Sequence, residues 1–250
     1  MDNNEKEPRF IHLPETKSTN EFLQAVSEAE KLPSESIALA DFQTAGRGQT
    51  GNSWESEAGK NLTFSILFRP VEVPANMPFV ISEMVSLSVK YTLDKYLSDI
   101  TVKWPNDIYY KDLKITGILI ENTIMQSKIS RSVIGIGINV NQTVFSSNIP
   151  NPVSMAQVTG ESYDLMRIMD DFRQVFAAQS ARVNHSCFDS IHRDYLRAVY
   201  RKEGYHTYAD KNGIFEAKIE DIEPTGHLTL ERTDGSRSRY AFKEITYITR

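Results

Sequence analysis

Three clusters of residues in this chain have types and spacings suited to chemistry on anions. The first is Gly46-Arg47-Gly48-Gln49-Thr50-Gly51. Glycines let backbone N–H groups come close to a ligand, and a guanidinium beside them can fork onto a carboxylate or a phosphate. The run follows an expected strand and satisfies G-x-G-x-x-G, but a dinucleotide site also needs a helix opening at the third glycine. Asn52 to Asn61 has no apolar period and leads into another strand, which argues against that fold. The second cluster is Lys103-Trp104-Pro105-Asn106-Asp107, with Lys114 and Gly117 on the strand that returns. Two ammonium groups, an amide and a carboxylate near one hairpin mouth suit a nucleoside triphosphate and its Mg²⁺, although Pro-Asn-Asp alone is ordinary turn chemistry. The third is Val133-Ile134-Gly135-Ile136-Gly137-Ile138-Asn139-Val140, a buried-strand pattern with two glycines on one face. Such glycines weaken a strand unless a ligand or another backbone must approach; a bulge is the bland alternative.

The elements that must position these clusters are legible from periodicity. Ser18 to Ala29 reads as a helix, with Ser18 and Glu21 as a capping box and Phe22, Leu23, Val26 and Ala29 on one face. Strands are expected at Ser36–Phe42 and Asn61–Phe68, and a long helix over Asn76–Ser98. From Thr101 the pattern turns to strands, Thr101–Trp104, Lys114–Glu121 and Lys128–Val140, whose short connections favour antiparallel pairing. Asn141–Gly160 reads as a loop, and helices follow over Asp164–Val183 and Cys187–Tyr200. Beyond Tyr200, turn signals at Asn212-Gly213, Pro224-Thr225-Gly226 and Asp234-Gly235 separate short strands, as in a small β-barrel. The expected division is therefore 1–200, holding the three clusters, and 201–250.

Composition narrows the class. The 250 residues carry 28 Lys+Arg against 33 Asp+Glu, a net charge of −5, so the chain as a whole does not present the basic surface of a nucleic-acid binder. No apolar run approaches the length of a membrane span, and the polar leader lacks the basic and apolar regions of a signal peptide. The single Cys187 cannot form an internal disulfide, which points to a reducing, cytoplasmic setting. His12, His185, His192, His206 and His227 show no metal-ligand spacing; His185 and His192 read as surface residues, Cys187 as a helix-cap neighbour rather than a nucleophile, and Met166 and Met169 as core.

In this order, Ser18-Thr19-Asn20, Gln43-Thr44-Ala45-Gly46-Arg47-Gly48 through Gly51 and Trp54, Lys103-Trp104-Pro105-Asn106-Asp107, Lys114-Ile115-Thr116-Gly117-Ile118-Leu119 and Gly135-Ile136-Gly137-Ile138-Asn139 resemble the biotin protein ligases. The likeness is detailed from about residue 18 to 140 and, through the C-terminal strands, extends over nearly the whole chain. It implies an α+β fold, a mixed and largely antiparallel sheet flanked by helices, with a small C-terminal SH3-like β-barrel. It also implies a two-step reaction in which biotin and Mg-ATP give biotinyl-5′-adenylate, and a lysine of a biotin carboxyl carrier protein then takes the biotinyl group.

Carried over by position, Ser18, Thr19, Asn20 and Gln43 would hold the biotin head group, and Gly46, Gly48, Gln49, Gly117, Ile118 and Gly135 would complete the biotin slot. Lys114 and Arg47 would be the catalytic cations, serving both the biotin carboxylate and the α-phosphate. Trp54, Lys103, Asn106 and Asn139 would lie on the ATP side, with Asp107 at Mg²⁺. Gln49, Thr50 and Asn52 stand where many members have further arginines, which bears on retention of the adenylate, and Lys17 stands where Asp is common. Members that also repress transcription carry a winged helix-turn-helix ahead of the Ser-Thr-Asn segment; 17 residues precede Ser18, so no DNA partner is expected. A homodimer stays open. Two alternatives stand beside the ligase: a lipoate or octanoate ligase or transferase of the same fold, and a non-catalytic biotin- or nucleotide-binding sensor. Retention of Lys114, Arg47 and Asp107 together argues against the sensor.

Overall fold

The computed structural model describes residues 7–49, 51–146 and 150–248. Thr50 and leader residues 1–6, read above, lie outside the described residues, as do 147–149 of the expected loop. A seven-stranded sheet forms the main body: β1 (Phe10–Thr16), β2 (Ile37–Gln43), β3 (Leu62–Phe68), β4 (Ile100–Lys103), β5 (Asp107–Tyr110), β6 (Leu113–Met125) and β7 (Lys128–Ile138). Their order is β1-β2-β3-β7-β6-β5-β4. The β1–β2 pair is parallel and all other neighbours are antiparallel, as the expected mixed sheet requires.

Helices cover both faces. Helix α1 (Thr19–Ala29) lies on one, where Leu23 packs with Ala38, Leu67 and Val133. Helices α2 (Phe79–Leu93), α4 (Leu165–Ser180) and α5 (Phe188–Ala198) cover the other, following the short α3 (Met155–Thr159) in chain order for the last two. There Phe64, Ile66, Phe68, Ile134, Ile136 and Ile138 bury against Met84, Leu87, Phe172 and Phe176. Phe64 meets Phe172 edge-on at 5.0 Å between centroids, a favoured aromatic geometry. With both faces covered, every residue of β3 is buried, the polar alternates Thr63 and Ser65 included.

Several expectations change in detail. The expected helix over Asn76–Ser98 is shorter: Pro78, with φ −66°, stands at its N-cap, and the chain leaves the helix at Asp94. The capping box read at Ser18 and Glu21 is not made, since Ser18 forms no side-chain cap bond and Glu21 instead lies 3.6 Å from the Arg47 guanidinium. A capping box does form at Ser154 and Gln157, opening α3 inside the segment read as loop. Strands β1 and β5 were not anticipated; β1 carries Pro14 and sits at the sheet edge, where a missing N–H is tolerated. The paired glycine strand is no bulge, because Gly135 and Gly137 stay in regular register with both neighbours. Met169 is buried as expected, whereas Met166 is exposed.

A second antiparallel sheet comprises β8 (His206–Asp210), β9 (Gly213–Ile222), β10 (Leu228–Arg232), β11 (Arg237–Tyr240) and β12 (Thr246–Tyr247), in the order β11-β10-β9-β8-β12. It is compatible with the expected SH3-like unit, its buried side formed by Tyr208, Ala217, Ile219, Leu228 and Leu230. Its Pro224–Gly226 turn meets the main body: Trp104 Nε1 donates to the Gly226 carbonyl at 3.0 Å, and Phe79 packs against Gly226 so closely that a Cβ there would lie 2.8 Å from the ring. No helix among the described residues is long and apolar enough to cross a membrane.

Candidate active site

Antiparallel register explains where a cavity opens. On the α1 face, Leu67 is opposite Val133, Ser65 opposite Gly135 and Thr63 opposite Gly137. On the other side of β7, Glu121 pairs with Val133, Leu119 with Gly135 and Gly117 with Gly137. Paired residues share a face, so large side chains under α1 give way along the strands to Ser65, Gly135, Gly137 and Gly117. The sheet floor is stripped of side chains just beyond the N-terminus of α1. The resulting cavity is lined by Ser18, Thr19, Asn20, Gln43, Arg47, Gly48, Gln49, Asn106, Asp107, Lys114, Gly117, Ile118 and Gly135, with Trp54 and Phe242 among its walls.

One end of the cavity is a hydrogen-bonded side-chain network. Gln43 Oε1 accepts from the Thr19 backbone N–H at 2.7 Å and from the Thr19 hydroxyl at 3.0 Å, and so caps a first-turn amide of α1 that has no helical partner. Ser65 Oγ lies 2.7 Å from Thr19 Oγ1 and 2.5 Å from Asn20 Oδ1. Asn20 fills the space over Gly135, where a Cβ would sit 2.5 Å from its Oδ1, and donates from Nδ2 to Glu121 at 2.7 Å. Fixed amide and hydroxyl groups of this kind suit the polar head of a small molecule that is otherwise apolar.

Above this floor, residues 46–49 and 51–54 form the two arms of a tight excursion: Trp54 N–H donates to the Gly46 carbonyl at 3.0 Å, and Gly48 N–H to the Asn52 carbonyl at 2.9 Å. Gly46 does not line the cavity; it lets the two arms close, since a Cβ there would lie 2.3 Å from the Trp54 carbonyl. The returning arm lays the Trp54 indole over the paired glycines. A Cβ on Gly137 would fall 2.2 Å from the indole and one on Gly117 2.9 Å from it. Gln49 turns toward the Lys-Trp-Pro-Asn-Asp turn, where its Nε2 donates to Asn106 Oδ1 at 3.0 Å, and Asn106 in turn bonds the Ile118 carbonyl.

Lys114 stands at a junction. Its ammonium pairs with Asp107 at 2.7 Å, and it lines both the glycine-floored cavity and a neighbouring one formed by Gly51, Asn52, Ser53, Trp54, Asn139, Phe145 and Pro152. Gln49 Oε1, Trp54 Nε1 and Asn139 Oδ1 are buried without a hydrogen-bond partner. A buried polar atom left so costs about 1–3 kcal/mol, which a ligand with matching groups would offset.

The structure thus gathers most of the expected residues and corrects others. Asn139 lines the neighbouring cavity and not the glycine-floored one. Lys103 lines neither cavity: its ammonium donates to Tyr109 Oη at 3.0 Å and lies 5.1 Å from the Tyr247 ring centroid, drawn to an aromatic seam with the second sheet. Arg47 reaches the cavity, yet its Nη2 is committed to both oxygens of Glu121 at 2.9 and 2.8 Å. Glu121 and Ser65 escaped the sequence reading, although each is a polar interruption of an apolar strand. Among the described residues no group of three or more His, Cys, Asp and Glu is placed to hold a metal ion. His192 is not a free surface residue either. It bridges Glu83 at 2.6 Å and Asp221 at 3.1 Å, and the Glu83 hydrogen bond holds its pKa above the ordinary 6.5, while burial pushes the Glu83 carboxyl up.

The scaffold is α+β, a mixed sheet carrying a glycine-floored slot with Lys114 where that cavity meets its neighbour. The sequence pattern of the biotin/lipoate A/B protein ligase family matches residues 13–139, and the chain belongs to that family. It is 28% identical over 227 residues to the bifunctional ligase/repressor BirA of Bacillus subtilis, covering 84% of this chain and 65% of that protein's length. It is 27% identical over 237 residues to the biotin–[acetyl-CoA-carboxylase] ligase of Paracoccus denitrificans, covering 89% of this chain and 94% of the relative. Its fold matches that of the biotin protein ligase of Aquifex aeolicus, solved in complex with biotin and ATP, with a TM-score of 0.78 at 24% identity over 95% of this chain and 97% of the other.

Proposed function

We propose that the protein is an ATP-dependent biotin protein ligase acting in the cytoplasm, with residues 1–200 as the biotin- and ATP-binding unit and 201–250 as a small accessory unit. The observation that carries this reading is the junction at Lys114 and Trp54, residues that line both cavities. A carboxylic acid seated over the glycine floor and a nucleotide on the Asn139 side would meet there. In the first step a biotin carboxylate oxygen attacks the α-phosphorus of ATP, pyrophosphate leaves, and biotinyl-5′-adenylate forms. The two reactants repel, so a fixed cation and directed N–H donors are needed; Lys114 supplies the first and Arg47 the second, and losing one such group typically costs about 3 kcal/mol. In the second step a lysine amine of a biotin carboxyl carrier protein attacks the anhydride carbonyl and AMP leaves. No side-chain nucleophile is required.

Ser18, Thr19, Asn20 and Gln43 would hold the biotin head group, while Gly48, Gln49, Gly117, Ile118 and Gly135 shape the slot around it. Trp54 and Asn139 would serve the nucleotide; Asn106 lines the glycine-floored cavity instead, and Lys103 drops out of the set. Mg²⁺ commonly arrives on triphosphate oxygens with one or two protein carboxylates, so the single carboxylate of Asp107 suits it without a preformed cage. The ion would neutralise phosphate charge. The reading is tested by exchange of labelled pyrophosphate into ATP with Mg²⁺ and biotin, lipoate or octanoate in parallel. Exchange supported by biotin alone is the expected result. Exchange supported by lipoate or octanoate would reassign the slot, and tight biotin binding without exchange would make the protein a sensor.

A further inference from the structure

We infer that Glu121 is a positioning residue of the adenylation step, one that sets the guanidinium of Arg47 and ties it to Asn20 in the polar floor of the slot. The inference rests on the ligase reading above. Glu121 does not itself line the cavity, whereas Arg47 and Asn20, the two groups it holds, both do. Its Oε2 accepts from Asn20 Nδ2 at 2.7 Å and from Arg47 Nη2 at 2.8 Å, and its Oε1 accepts from the same Arg47 nitrogen at 2.9 Å. Glu21 is the looser partner, 3.6 Å from Arg47 Nε and more exposed than Glu121. Nη2 is taken by one carboxylate, which anchors that end of the guanidinium, and among the described contacts no hydrogen bond engages Nη1.

This arrangement decides how Arg47 acts. Paired with a carboxylate, it contributes little net charge and works through the direction of its remaining N–H groups. Glu121 also closes a side-chain path running from Gln43 through Thr19, Ser65 and Asn20 to Arg47, which links the head-group end of the slot to its cation. An amide at position 121 could still accept from Asn20 and from Arg47 through the oxygen in the Oε2 place, but its NH₂ in the Oε1 place would face a guanidinium that can only donate. Loss of the charge therefore weakens the hold on Arg47 and spares the bond to Asn20.

The test is a double-mutant cycle in biotin-dependent pyrophosphate exchange, with kcat and the biotin KM measured separately. Glu121→Gln is expected to lower kcat roughly 10–100-fold, because a misdirected group forfeits orientation, and to change the biotin KM by less than about threefold. In an Arg47→Gln background the same substitution is expected to change kcat by less than about twofold. Glu121→Asp, which keeps the charge, is expected to exceed Glu121→Gln in kcat, and it carries the cycle should the Gln variant fail to fold. Equal losses in both backgrounds would overturn the inference and make Glu121 a support for Asn20. Faster exchange by Glu121→Gln would overturn it too, making the carboxylate a competitor of the substrate. A wild-type protein that does not exchange with biotin would fail earlier, on the ligase reading, before any variant is compared.

Discussion

The two faces of the main sheet are built from alternate residues of the same strands. On β3, Phe64 and Ile66 face α2 and α4, while Thr63 and Ser65 face the slot; on β7, Ile134, Ile136 and Ile138 alternate with Gly135 and Gly137. One face fills space to interior density and the other withholds side chains from it. The pairing teaches that the slot's floor is glycine main chain, backed by the apolar packing of the other face and overlaid by the Asn20 side chain and the Trp54 indole. Stability and ligand recognition are thereby separated by a one-residue offset, and a one-residue register slip would exchange them.

That separation can be broken from either side. The largest effect is expected from Phe172→Ala on the packed face, which removes the ring that meets Phe64. A loss of about 3–5 kcal/mol in urea unfolding is expected, with biotin affinity preserved in whatever remains folded. Lys114→Ala on the slot side should do the reverse, lowering pyrophosphate exchange about 100- to 1000-fold while moving the unfolding midpoint little, since its partly exposed pair with Asp107 adds little stability. Gly137→Ala sharpens the comparison further. Its methyl group would overlap Trp54, so exchange should fall on the order of 100-fold with near-native unfolding, whereas a packed-face change of equal size would register as stability.

The smallest effect belongs to the packed side at His192, whose partners are Glu83 on α2 and Asp221 on β9. Its pKa is raised on folding by the Glu83 hydrogen bond, so its stabilisation is fully present below the unfolded value of 6.5 and is lost as pH rises through the folded value. Thermal unfolding scans from about pH 6 to about pH 8 should show the midpoint falling, a slope that His192→Gln removes.

Much of this was legible because the relevant signals are local. The glycine strand, the Gly-Arg-Gly loop and the Lys-Trp-Pro-Asn-Asp turn announce close backbone approach and anion chemistry, and β2, β3 and α1 fall within about two residues of their apolar patterns. What stayed hidden depends on partners far away in the chain. β1 is an exposed edge strand that exists by pairing with β2, and β5 is four residues between two turns. Lys103 has the composition of a phosphate ligand, but the Tyr109 and Tyr247 rings claim it, and Tyr247 comes from the second sheet. The same holds for the caps: Ser18 with Glu21 and Ser154 with Gln157 offer the same sequence signal, and only Glu21 has an arginine across the fold to divert it. Glu121 looked like the polar end of a strand until Arg47 was placed beside it.

The two tryptophans of the chain occupy unlike surroundings. Trp104 is buried with its indole N–H bonded to the Gly226 carbonyl, and Trp54 lies on the floor of the slot with its N–H unpaired. The protein therefore carries its own optical gauge: Trp54 emission is expected to respond to what enters the slot beside the indole, and Trp104 emission to whether the second sheet is seated. Exciting both and replacing either with Phe resolves occupancy of the slot from docking of the sheet, in an unlabelled protein and in real time.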